Sequence, residues 1–61
     1  MFNCELKLKD NSTMYIVGVE RIEYEKVHIR FHKPTIIHSI PQNQIEELHI
    51  NGEIEEISKW K

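Results

Sequence analysis

Phe2-Asn3-Cys4-Glu5-Leu6-Lys7-Leu8-Lys9 decides the fold. Phe2, Cys4, Leu6 and Leu8 fall on one side, and Asn3, Glu5, Lys7 and Lys9 on the other. That period of two is the mark of a half-buried β-strand. Asp10-Asn11-Ser12 follows, three short polar side chains that bond their own backbone and turn the chain. Thr13 to Val19 then reads as a second strand, closing a hairpin. Both of its faces are apolar: Met14, Ile16 and Gly18 on one, Tyr15, Val17 and Val19 on the other. Such a strand is expected to be buried on both sides, with Tyr15 packing beside Val17 under another part of the sheet or a second subunit.

Gly18 predicts a bulge or sharp bend, after which the chain changes direction between Val19 and Tyr24. Lys26 to His32 reads as a third strand, with Val27, Ile29 and Phe31 inward and His28, Arg30 and His32 outward. Lys33-Pro34 turns the chain into a fourth strand, Thr35 to Ile40. Pro41-Gln42-Asn43-Gln44 reads as a short turn with 3₁₀ character. Ile45 to Ile50 is a fifth strand, and Asn51-Gly52 is a two-residue hairpin signal. The stretch from Glu53 to Lys61 is expected to form a short sixth strand, its end either frayed or docked through Trp60. The three-residue spacing of Ile54, Ile57 and Trp60 also fits a short C-terminal helical turn.

Composition agrees with this reading. Ten isoleucines, three valines and no alanine among 61 residues favour a pleated surface over helix. The length holds one domain, residues 1–61, whose small core invites help from oligomerisation. Five or six short strands joined by tight turns predict an all-β domain: a small antiparallel barrel or strongly bent sheet, similar to an SH3-like barrel. Cys4 is the only cysteine, so no disulfide forms within the chain. With neither an export signal nor an apolar run long enough to span a membrane, the chain is expected in the cytoplasm.

Function is harder to read. Cys4 shares its face with Phe2, Leu6 and Leu8, where burial raises a thiol pKa and quenches reactivity. There is no Gly-rich phosphate loop, so no enzyme and no cofactor are expected. His28 and His32 would lie about 6 Å apart on a helix, but on a strand their spacing is about 13 Å, too wide for one zinc ion. No metal is expected either. The same triplet suits an anion: Arg30 offers a planar fork of donors to phosphate or carboxylate, with His28, His32 and Lys33 beside it. Tyr24 is the candidate stacking aromatic. His38 depends on register: a two-residue Lys33-Pro34 loop pairs it with apolar Ile29, and a three-residue loop brings it opposite Arg30. Tyr15, Val17 and Trp60 are candidate interface residues.

Net charge is −2, unevenly spread: six Lys or Arg against five acids in residues 1–40, and two Lys against five Glu in residues 41–61. The acidic second part weighs against binding extended nucleic acid, whose affinity is built from several phosphate contacts.

Leu6-Lys7-Leu8-Lys9-Asp10-Asn11-Ser12-Thr13, with Ile40-Pro41-Gln42-Asn43-Gln44-Ile45-Glu46-Glu47-Leu48 later, resembles small all-β proteins of phages and low-GC bacteria. These include anti-defence sponge proteins, which serve immune evasion by sequestering nucleotide-derived signals without cleaving them. The resemblance lies in apolar spacing over about two thirds of the chain and transfers no binding motif residue by residue. It implies a nucleotide-binding homodimer or larger homo-oligomer, in a bacterial host cell if phage-encoded. The competing reading is a small interaction module for a host or phage protein; single-stranded nucleic acid is the third.

Overall fold

The computed structural model describes residues 1–55. The chain is all-β: β1 (Phe2–Leu8), β2 (Thr13–Val19), β3 (Arg21–Tyr24), β4 (His28–His32), β5 (Ile37–Pro41), a 3₁₀ turn (Gln42–Gln44), β6 (Ile45–Ile50) and β7 (Glu53–Glu55). These form two antiparallel sheets, one ordered β2-β1-β6-β7 and the other β3-β4-β5. Among the described residues the sheets do not join into a closed barrel; they are the bent-sheet form of the expected architecture. The described residues hold seven strands where five or six are expected, because Arg21–Tyr24 pairs with β4 as a strand of its own. The expectations for Trp60 and for a C-terminal helical turn through Ile57 fall on residues 56–61, outside the described residues; of the expected sixth strand, Glu53–Glu55 is described.

Each turn follows from local chemistry. At the β1–β2 turn Asn11 adopts φ 71°, and the Asp10 carboxylate accepts the Ser12 amide at 2.9 Å. Asn51 and Gly52 both have positive φ, 49° and 85°, the signature of a two-residue hairpin turn whose twist matches its strands. At Gly18, φ is 69° and the β1–β2 register shifts between Phe2 and Cys4. This bulge moves Val19 from the outer face, where strict alternation puts it, into the core.

The core is one cluster. Cys4, Leu6, Ile16, Val19, Ile45 and Leu48 come from the first sheet, and Ile29 and Phe31 from the second. Phe2, Leu8, Met14, Ile22, Ile40 and Ile50 close over it.

The structure corrects the inward placement of Val27 and the β4–β5 register, and it leaves the outer face of β2 uncovered within the described residues. Val27 is 64% exposed rather than inward. The Glu25 amide donates to the His28 carbonyl at 2.9 Å, so Lys26 and Val27 form the hairpin tip and the strand begins at His28. Tyr15 and Val17 are 71% and 58% exposed: the outer face of β2 has no cover among the described residues. The β4–β5 loop has four residues, closed by the Lys33 amide donating to the Ile36 carbonyl at 2.9 Å. His38 therefore pairs with Phe31, and neither shorter-loop register occurs.

Candidate functional site

Alternation along β4 places His28, Arg30 and His32 on the outer face of the three-stranded sheet, as expected. In register, Arg21 lies opposite His32, and Glu23 opposite Arg30. The face is internally neutralised. Arg30 Nε lies 2.8 Å from Glu25 Oε1, Arg21 Nη1 lies 3.6 Å from Glu23 Oε1, and the His32 ring bonds the same Glu23 oxygen. The His32 bond, with the Arg21 and Arg30 charges, holds the Glu23 carboxyl below its ordinary pKa. Lys33 follows at the start of the next loop.

Tyr24 and His38 do not join this face. Tyr24 pairs with Ile29 and His38 with Phe31, and directly opposed residues share a face, here the inner one. The Tyr24 phenol is pushed up by burial first and then by the negative charge of Glu55. His38 is half-buried against the core side. The structure thus brings together three of the six predicted ligand residues, His28, Arg30 and His32, in a row along one strand that already has acidic partners.

Among the described residues a concavity lies elsewhere. The β3–β4 tip and the 3₁₀ turn are tied by the Gln42 amide donating to the Val27 carbonyl at 2.7 Å, and the end of β1 is tied in by the Lys9 amide donating to Gln44 at 2.9 Å. Where they meet is a cleft of about 560 Å³, lined by Lys9, Lys26, Val27, Gln42, Asn43, Ile45 and Glu46. A second hollow of about 410 Å³ shares Lys9 and Asn43 and adds Leu8, Asp10 and Gln44. Among the described residues neither Lys9 nor Lys26 is ion-paired. The cleft therefore offers two ammonium groups, two side-chain amides and an apolar floor, against one carboxylate at Glu46. The sequence puts Lys9 on the polar side of the first strand and Lys26 at the start of the third, and singles out neither as a ligand residue. Three turns far apart in the chain meet here, and only the predicted turn at Pro41–Gln44 hints at it.

The remaining reactive groups are subdued. Cys4 is 2% exposed and burial pushes its thiol up to about 11, so it stays protonated at neutral pH. Among the described residues no three His, Cys, Asp or Glu side chains converge to hold a metal ion, and no helix is long and apolar enough to cross a membrane. His49 Nε2 is buried without a hydrogen bond, its acidic neighbour Glu47 standing 3.7 Å away. No protein-family model matches the chain, and no curated protein or solved structure matches it.

Proposed function

We propose that this chain is a non-catalytic binding protein that sequesters a small anionic ligand, a nucleotide-derived signal being the class the sequence reading favours. The observation that carries the proposal is the cleft with two lysines, Lys9 and Lys26, neither of which is ion-paired among the described residues. Its volume of about 560 Å³ falls within the range that small-molecule sites occupy. Val27 and Ile45 supply apolar contact for a ring, Gln42 and Asn43 supply directional polar groups, and the ammonium groups supply charge. The row His28, Arg30 and His32 is the weaker location, because an anion there competes with Glu25 for Arg30 and with Glu23 for His32.

The test is native mass spectrometry of protein purified from cells with an active nucleotide-signalling defence, followed by titration with ADP-ribose as the probe. Retained extra mass of a few hundred daltons, lost in Lys9→Glu/Lys26→Glu but kept in Arg30→Ala, supports the proposal and its site. Loss in Arg30→Ala alone moves the site to β4. A ligand-free protein from both defence-active and ordinary cells, with no ADP-ribose binding, overturns the proposal. It turns attention to the second reading, a protein-interaction module, which the exposed Tyr15, Val17, Ile36 and Ile37 favour.

A further inference from the structure

β2 is an edge strand, and among the described residues no strand pairs with its outer side. Natural sheet edges are protected by charges, prolines or shortness. The other three edges follow that rule: β3 carries Arg21 and Glu23, β5 carries Pro41, and β7 is three residues with Glu53 and Glu55. β2 does not. Its seven residues, Thr13-Met14-Tyr15-Ile16-Val17-Gly18-Val19, hold neither a charge nor a proline.

The phase of its hydrogen bonds is fixed by neighbouring contacts. The Leu8 amide donates to the Ser12 carbonyl at 2.9 Å, and Lys9 and Asn3 bond the opposite neighbour of β1, through Gln44 and Asn51. Antiparallel pairing alternates residue by residue, so Met14 and Ile16 turn their amides toward β1. Thr13, Tyr15 and Val17 turn theirs away from the sheet. These free backbone groups thus belong to the residues whose side chains stand exposed.

We propose that β2 is a self-pairing edge: two copies of the chain join antiparallel about a two-fold axis at Tyr15, continuing the sheet from one copy into the other. The regular run Thr13–Val17, ended by the Gly18 bulge, is symmetric about Tyr15. Tyr15 then faces Tyr15 of the second copy, and Thr13 faces Val17 of the second copy, in both directions. Three opposed pairs exchange about six backbone hydrogen bonds. Aromatic and β-branched side chains meet on the exposed face, the pairings that stabilise sheets.

Charge permits the arrangement. Glu5, the acid beside Tyr15 in the same sheet, is hydrogen-bonded to the Tyr15 hydroxyl. Three strand spacings, about 14 Å, separate the two Glu5 positions across the axis, beyond the screening length of physiological salt. Lys7 lies beside Thr13, whose opposite number, Val17, is uncharged. Five residues span only about 17 Å, so the contact is smaller than a standard interface and the dimer is reversible and concentration-dependent.

The pairing does not depend on the ligand reading, so the experiment uses ligand-free protein. Sedimentation velocity from about 5 to about 500 µM is expected to show a monomer–dimer equilibrium. Tyr15→Lys sets two ammonium groups opposite each other at the axis and is expected to weaken association by at least about tenfold. Its circular dichroism should match the parent, since Tyr15 is 71% exposed. Ile36→Lys, an exposed residue of the β4–β5 loop, should still dimerise. Thr13→Cys/Val17→Cys reads the register directly: opposed residues stand about 5.5 Å apart, within disulfide reach, whereas the same two positions within one strand are about 13 Å apart. Oxidation should give a covalent dimer. A parent monomeric at the highest concentration, an undiminished dimer in Tyr15→Lys, or no cross-linked dimer each overturns the pairing. Unchanged ADP-ribose binding by Tyr15→Lys separates failure of this edge from failure of the ligand site.

Discussion

Gly18 is where a single methyl group tests the bend. Its φ is 69°, and a Cβ built there meets nothing within 4 Å, so Gly18→Ala adds no clash. The cost is backbone alone: holding an L-residue left-handed costs roughly 1–2 kcal/mol. Alanine also narrows the unfolded ensemble, offsetting about 0.4–1 kcal/mol, which leaves a net loss of about 1 kcal/mol. Total stability at this length is roughly 3–9 kcal/mol, so the change is a visible fraction of it. Urea titration followed by circular dichroism should show a lower midpoint with unchanged slope. Thermal melting should fall by about 4–8 °C. Gly18→Asn, whose side chain tolerates left-handed backbone, should lose less than Gly18→Ala. A fully stable Gly18→Ala protein would refute the left-handed bulge. A loss above about 3 kcal/mol would mean that the space around Gly18 is filled, contrary to its open surroundings.

Phe31→Ala empties the largest fully buried position and should cost about 3–5 kcal/mol, enough to abolish a cooperative melt at room temperature or bring it close to that point. Cys4 should react with a disulfide reagent at the rate of unfolding, so urea should accelerate labelling sharply. The same thiol predicts alkaline loss of stability: the unfolded chain ionises near 9 while the folded thiol holds its proton to about 11, so the urea midpoint should fall across that window. Cys4→Val should flatten this fall. At the acid end, the depressed Glu23 carboxyl contributes stability above about 4.5 that is lost as pH falls through its lower folded value. Glu23→Gln should reduce that acid slope.

Backbone chemistry was the most legible part of the chain. Phe2–Leu8, Thr13–Val19 and Ile45–Ile50 match the strands read from alternation, and Asn51-Gly52 and the 3₁₀ turn stand where their residues predict. The failures share a cause. Val27 continues the apolar period of Ile29 and Phe31, but period alone does not say where a hairpin closes. Lys33-Pro34 marks a turn without fixing that the loop takes four residues, and that count decides which face His38 occupies. Tyr24 is separated from Arg30 by the pairing of two strands, which no spacing within one strand reveals.

The candidate site was hidden for an electrostatic reason. A net charge of −2 suggests no particular cation, and inspection of the sequence favours Arg30 because an arginine between two histidines is conspicuous. Folding decides instead which cations keep their charge uncompensated. Of the six basic residues in positions 1–40, Arg21 and Arg30 are taken by Glu23 and Glu25, and Lys7 is taken by Glu47. Lys9, Lys26 and Lys33 remain outside any ion pair among the described residues. Two of those three, drawn from turns 17 positions apart in the chain, line one cleft. An exposed ion pair contributes little to stability, yet each one removes a cation from competition for a ligand. On the proposed anion-binding reading, the acids of β3 and its turn act less as supports for the fold than as selectors of where an anion would be held.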